Sequence, residues 1–232
     1  MKVWKMFRDI EEITEKEGLF YRKDSRGKPR KLRPWNGEYV ALIYDYVMAH
    51  MVFPKKFGAS LEKHETILRE ELRSWEGGKL LDLGAGTGAV AEVLPRNISY
   101  WGVDLSSRLL LRGKKRFAAR GFSEASFFVT SAEELPFRDH CFDLSLCSLS
   151  LNFFSPLSLV LQELRRVLVR QGAFFCVVPV PERQPQKSVI RGTLYSEEEL
   201  RRLFEEEGFS FQPLEYENGA LLYFKAFAKE EA

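Results

Sequence analysis

The sequence predicts an α/β fold: a doubly wound, seven-stranded sheet, mostly parallel, with an antiparallel C-terminal hairpin and a mostly helical N-terminal extension. Three observations carry this. From Lys79 onward, short β-rich runs alternate with helical patterns, the signature of repeated strand–helix–strand units. A glycine-rich turn, Gly84-Ala85-Gly86-Thr87-Gly88, directly follows the first of these runs. Near the end, two apolar runs flank Asn218-Gly219, a strong hairpin signal.

In order, "KLLDLG" reads as the first strand, and the glycine turn leads into a helix from Ala89 to Leu94 that stops near Pro95. "ISYWGVD" is the second strand. Ser106 to Arg120 is a helix with serine at its start and Gly121 as its stop. "ASFFVT" and "FDLSLCSLSL" are strands three and four, a helix covers Ser155 to Val169, and "AFFCVVPV" is strand five. Ser196 and Glu199 form a capping box that opens the helix "EEELRRLFEEEG", and "FSFQPLEYE" with "ALLYFKAFA" completes the sheet. Residues 1–78 do not follow the alternation. Helical patterns around Glu38 to Val52 and Leu61 to Trp75 mark them as an extension packed near the mouth of the sheet, with residues 79–232 as the ligand-binding domain.

Composition narrows the function. Hydrophobic residues make up 45% and charged residues 29%, a globular balance, and the net charge of +2 gives no global argument for nucleic acid. Cys141, Cys147 and Cys176 lie in apolar, strand-like surroundings with neither C-x-x-C nor a nearby histidine, so they read as buried thiols in a reducing compartment, and no metal site is expected. The longest apolar stretch, Val40 to Phe53, is short and carries Asp45 and His50, and no signal peptide is evident; the expectation is a cytoplasmic protein. Asn and Gln together number only nine while Lys, Arg and Glu abound, a thermophile-like bias.

The glycines alone satisfy two patterns, G-x-G-x-G and, with Ala89, the dinucleotide pattern G-x-G-x-x-G/A. Asp104, 20 residues after Gly84, suits a ribose diol in either case. Asp82 discriminates. A pyrophosphate would be repelled by a carboxylate one turn away, whereas S-adenosylmethionine (SAM) brings a sulfonium and an ammonium and no phosphate. The glycines then let backbone approach the ligand closely.

These residues resemble the motifs of class I SAM-dependent methyltransferases, especially the group that includes the ubiquinone and menaquinone biosynthesis methyltransferases. "LLDLGAGTG", "WGVDLS", "SAEELPFRDHCFD" and "ELRRVLVRQGAFFCVVP" stand in the family's order and spacing, over about residues 79–228 of a Rossmann-like domain. The resemblance implies SAM as cofactor. It implies that Asp82 and the loop Gly84, Ala85, Gly86 and Gly88 border the methionine part, that Asp104 binds the ribose and that Leu105 packs on the adenine. Ser131, Ala132 and Glu133 would line the adenine edge, Cys147 and Ser148 would close the methionine side, and Tyr44 would approach from the extension.

Two positions depart from the family. Ser131 stands where Asp is frequent, which weakens an adenine contact, and Asn152 stands where a histidine often faces the acceptor. An amide is no general base, so no catalytic residue is assigned. Direct displacement needs mainly alignment, and Asn152 with Phe153 are the candidate acceptor-pocket residues. The absence of [DN]-P-P-[YF] after strand four favours oxygen or carbon in a small or medium-sized acceptor over exocyclic nitrogen. The basic stretch of residues 22–33, seven basic residues against one acidic, reads either as a solvated loop or as a surface for RNA, anionic lipid or a negatively charged metabolite. A SAM-binding but catalytically silent subunit that docks a partner, and an NAD-dependent oxidoreductase, are the alternatives.

Overall fold

The computed structural model describes residues 3–32, 43–75, 77–184 and 189–229. Its first strands, β1 (Ile13–Lys16) and β2 (Leu19–Arg22), form a hairpin. A helical segment follows: α1 (Tyr44–Val47), which widens into a π-type helix through Phe57, and α2 (Leu61–Leu72). The alternating part is β3 (Lys79–Leu83), β4 (Ser99–Asp104), α3 (Ser107–Ala119), β5 (Ala125–Val129), β6 (Phe142–Ser148), α4 (Leu157–Val167) and β7 (Leu168–Pro179). The chain closes with α5 (Glu197–Glu206), β8 (Phe209–Asn218) and β9 (Leu221–Ala228).

The nine strands of the described residues belong to one sheet, ordered β1-β2-β5-β4-β3-β6-β7-β9-β8. The pairs from β2–β5 through β6–β7 are parallel, and β7–β9 and β8–β9 are antiparallel. The chain runs from β3 to β4 and β5 on one side, then crosses back to lay β6 on the other side of β3. That reversal leaves a crevice at the C-terminal ends of β3, β4 and β6, where doubly wound sheets bind ligands.

Local chemistry accounts for the elements. β3 buries four successive residues, as a strand covered on both faces must. Ser106 caps α3 by accepting from the Leu109 amide, Ser60 caps α2 through Lys63, and the Ser196–Glu199 capping box forms at α5 as the spacing predicts. Two cores flank the sheet. One gathers Phe7, Trp101, Phe137, Phe174 and Phe204; the other gathers Phe53, Tyr100, Phe117, Phe127 and Tyr223.

Several expectations change. The sheet has nine strands rather than seven, because residues 13–22, expected in a mostly helical extension, fold as a hairpin and join the edge of β5 through Phe20–Phe128 and Tyr21–Val129. Glu17 and Gly18, both with positive φ (58° and 72°), make its two-residue turn. The N-terminal helices therefore lie in residues 44–75, and the sheet draws on both sides of residue 78. The helix expected from Ala89 to Leu94 is a short 3-10 turn, Ala89–Glu92. The helix expected from Ser155 ends at Val167, since Leu168 already begins β7. Part of the pattern from Glu38 to Val52, and Arg33 of the basic stretch, lie outside the described residues. Cys147 and Cys176 are buried as expected, whereas Cys141 is half-exposed.

Candidate active site at the mouth of the sheet

The glycine turn sets the geometry. Gly84, Gly86 and Gly88 all have φ between 53° and 72°, a region that penalises a side chain. A Cβ on Gly84 would stand 2.5 Å from the Ser150 side chain, so this close approach also requires glycine. The Gly84 and Ala85 amides both donate to the Val103 carbonyl, at 2.9 Å each, which fastens the turn to the end of β4.

Asp104 then anchors the crevice. Its two carboxylate oxygens accept from the Gly86 amide (2.9 Å) and the Ser106 amide (2.8 Å). Asp82 lies one strand over, 4% exposed, and accepts a 2.6 Å hydrogen bond from the Tyr100 hydroxyl. Burial pushes its carboxyl up to about 7 against the opposing effect of the Tyr100 hydrogen bond, and the negative Asp104 adds to the rise. A cation beside Asp82 would restore its ionised form. Two carboxylates at a glycine turn suit a cationic adenosyl ligand and repel a pyrophosphate.

Three hollows meet here. One, of about 150 Å³, is lined by Gly84, Gly86, Asp104, Leu105 and the loop Ser131, Ala132 and Glu133. The second, of about 220 Å³, collects Asp82, Ala85, His64 and Ser148. The third is the largest, about 560 Å³, and is mainly apolar: Val47, Met48, Met51, Val52 and Phe57 from the N-terminal helices face Phe153, Val189 and Ile190. Tyr44 and Leu149 line all three. Burial, then the negative Asp104 and Asp45, hold the Tyr44 phenol up at about 12, so it remains a neutral hydroxyl.

Most of the predicted residues thus converge, and two do not. Cys147 is fully buried in the core and lines none of the three hollows, because successive strand side chains point to opposite faces and Ser148 takes the ligand side. Gly88 serves helix packing: a Cβ there would come within 2.9 Å of the Gly113 Cα on α3 and 3.1 Å of the Phe117 ring. Asn152 and Phe153 do line the apolar hollow. The Asn152 side-chain amide donates to the Arg191 carbonyl, and its buried Oδ1 has no hydrogen-bond partner among the described residues.

Sequence reasoning missed the groups that the N-terminal helices bring in. Asp45 accepts from Thr87 of the glycine turn (2.5 Å) and pairs with Arg116 (2.6 Å) and Arg112 (3.0 Å) of α3, so α1 is tied down over the site. His64 of α2 reaches Ser148 at 3.3 Å. No local signal marks either residue, since their partners lie 42 to 159 residues away. Within the basic stretch, Arg22 and Arg30 both pair with Glu134 at 3.1 Å, next to the loop of Ser131, Ala132 and Glu133. Among the described residues, no helix is long and apolar enough to cross a membrane.

Residues 81–176 match a family model described as a methyltransferase domain. The chain is 36% identical over 121 residues to a demethylmenaquinone methyltransferase of Thermotoga maritima, covering 51% of this chain and 49% of that protein. It is 34% identical over 116 residues to a ubiquinone/menaquinone biosynthesis C-methyltransferase of Desulfotalea psychrophila, covering 49% and 45%. The chain therefore spans about half the length of these curated relatives. Among solved structures, a SAM-dependent methyltransferase of Thermotoga maritima shares the fold with a TM-score of 0.60 at 20% identity, covering 83% of this chain and 98% of that one. A Haemonchus contortus phosphoethanolamine N-methyltransferase in complex with S-adenosylhomocysteine superposes with a TM-score of 0.65 at 12% identity, covering 83% and 58%.

Proposed function

We propose that this chain, a class I methyltransferase through its domain over residues 81–176, moves the methyl group of SAM onto a small or medium-sized, mainly apolar acceptor at oxygen or carbon. One observation carries the reading: a polar space made of two adjoining hollows, one lined by Asp104 and the glycine turn and the other by Asp82, meets an apolar hollow of about 560 Å³ at Tyr44 and Leu149, which line all three. The first suits the cationic donor, with Asp82 toward its charged end, Asp104 toward the ribose hydroxyls, and Leu105 with Ser131 to Glu133 around the adenine.

The apolar hollow supports an apolar ring or chain as acceptor. The names of the relatives support a quinone-like molecule. Among the described residues lining it there is no carboxylate and no imidazole. Such a wall, whose charged members are Lys56 and Arg191, orients an acceptor and offers no carboxylate or imidazole base, so rate enhancement comes mainly from holding the nucleophile in line with the methyl. That favours acceptors whose nucleophile is already ionised or readily ionised, such as a phenolate or an electron-rich ring carbon.

The test is transfer of radiolabelled methyl from SAM to a panel of reduced quinones, naphthols, simple amines and total RNA. Transfer to hydroxylated aromatic rings, with none to RNA or amines, is the expected result. Transfer to RNA or amines alone would overturn the acceptor reading.

A further inference from the structure

His64, Tyr223 and Asn218 form a buried chain that ends at the donor hollow. The His64 Nδ1 lies 3.1 Å from the Tyr223 hydroxyl, and its Nε2 lies 3.3 Å from the Ser148 hydroxyl. The Asn218 amide nitrogen lies 3.0 Å from the same Tyr223 hydroxyl. His64, Tyr223 and Asn218 are all at least 96% buried.

The protons in this chain can be assigned one from the next. The Ser60 amide donates to Asn218 Oδ1 (2.8 Å), which fixes the orientation of the side chain. Asn218 Nδ2 therefore points its two hydrogens at the Ser60 carbonyl and at the Tyr223 oxygen. Having accepted there, the buried Tyr223 hydroxyl would leave its own hydrogen unsatisfied unless it donates to His64 Nδ1. Nδ1 is then the acceptor nitrogen, and Nε2 carries the hydrogen and donates to Ser148 Oγ. Burial holds the imidazole down at about 4, which keeps it in this neutral form. The Ser148 hydrogen is left to point away from His64, into the hollow.

That hydrogen stands out among its neighbours. Thr87 and Arg116 are committed to Asp45, and Ser150 donates to the Gly84 carbonyl. Asp82, in the same hollow, repels negative charge and suits the ammonium of an amino acid; the carboxylate of that amino acid needs a donor elsewhere.

We infer that the chain Asn218–Tyr223–His64 orients the Ser148 hydroxyl as a hydrogen-bond donor to the amino-acid carboxylate of the methyl donor. Ser148 touches the ligand; His64 is a positioning residue, supplied by the N-terminal segment and steered by the C-terminal hairpin. This deepens the proposed function and rests on it.

Calorimetric titration of the full chain with S-adenosylhomocysteine and with 5′-methylthioadenosine tests it, because the second ligand keeps the adenosine and lacks the amino acid. Ser148→Ala should weaken S-adenosylhomocysteine about tenfold, the size of one hydrogen bond to a charged group, and leave methylthioadenosine unchanged. His64→Leu should behave like Ser148→Ala, and His64→Gln, which keeps a donor toward Ser148, should restore most of the affinity. Equal losses for both ligands, or unchanged S-adenosylhomocysteine affinity in Ser148→Ala, would overturn the inference and leave the functional reading standing. A wild-type chain that binds neither ligand would overturn the functional reading itself.

Discussion

The two halves of the site are built in opposite ways. The donor half is polar and made largely of backbone: the left-handed Gly84 and Gly86, amides held by Asp104, and a carboxylate at the end of β3, all within residues 82–106. The acceptor half is apolar and made of side chains drawn from three distant stretches, residues 44–57, 149–153 and 189–191. A backbone cradle demands particular residues at fixed spacing, whereas an apolar wall demands only volume and hydrophobicity. The first can hold one ligand across many proteins; the second is free to change with the acceptor.

The difference can be broken at its strongest point first. Asp104→Ala removes the carboxylate proposed to hold the ribose, together with the clamp on the Gly86 and Ser106 amides, so S-adenosylhomocysteine affinity should fall at least about a hundredfold in a calorimetric titration. Retained affinity would show that the ribose sits elsewhere.

Asp82→Asn separates binding from stability. Between about pH 4 and pH 7 the folded protein keeps a proton on Asp82 that the unfolded chain has lost, so the stability from this site is complete at low pH and is lost as pH rises through about 7. At pH 8.5 the ligand-free variant should therefore be more stable than the parent, by about 2 to 4 kcal/mol in urea unfolding, while binding the donor at least tenfold more weakly. In the parent, donor affinity should fall as pH drops below about 7, because the cation needs the ionised carboxylate. Affinity flat from pH 6 to pH 8 would contradict this.

The acceptor half should respond the other way. Met51→Glu places a charge in the apolar hollow, and should raise the KM for an apolar acceptor about tenfold while S-adenosylhomocysteine affinity stays within twofold. Parallel losses for both ligands would erase the distinction between the halves. The smallest effect is expected at the tie between them. Asp45→Asn breaks two partly exposed ion pairs, and should cost about 1 kcal/mol of stability and speed donor dissociation a few-fold in stopped-flow measurements.

What could be read from the sequence follows the same division. "LLDLGAGTG" and "WGVDLS" announce the donor half because their hydrogen bonds close within about twenty residues. Apart from the helix expected at Ala89 to Leu94, which is a 3-10 turn, the helices, strands and C-terminal hairpin of residues 79–228 are legible through periodicity and caps. The β1–β2 hairpin was not, because its turn uses Glu17, a non-glycine residue in the left-handed region, inside a charged run that resembles a helix surface. Cys147 and Ser148 were assigned together, although strand alternation sends them to opposite faces. Gly88 looked like part of the cradle, and its tight neighbour proves to be α3. His64 carried no signal at all: its partners lie 84 and 159 residues away, and only the packing of α2 on the sheet brings them together.

The central claim is that the carboxylates at the glycine turn select a cationic adenosyl ligand over a dinucleotide. Its most direct test is calorimetric titration of the intact chain at pH 7.5 with S-adenosylhomocysteine and, separately, with NAD. One S-adenosylhomocysteine per chain should bind saturably, with no heat of binding from NAD. Binding of NAD alone would contradict it.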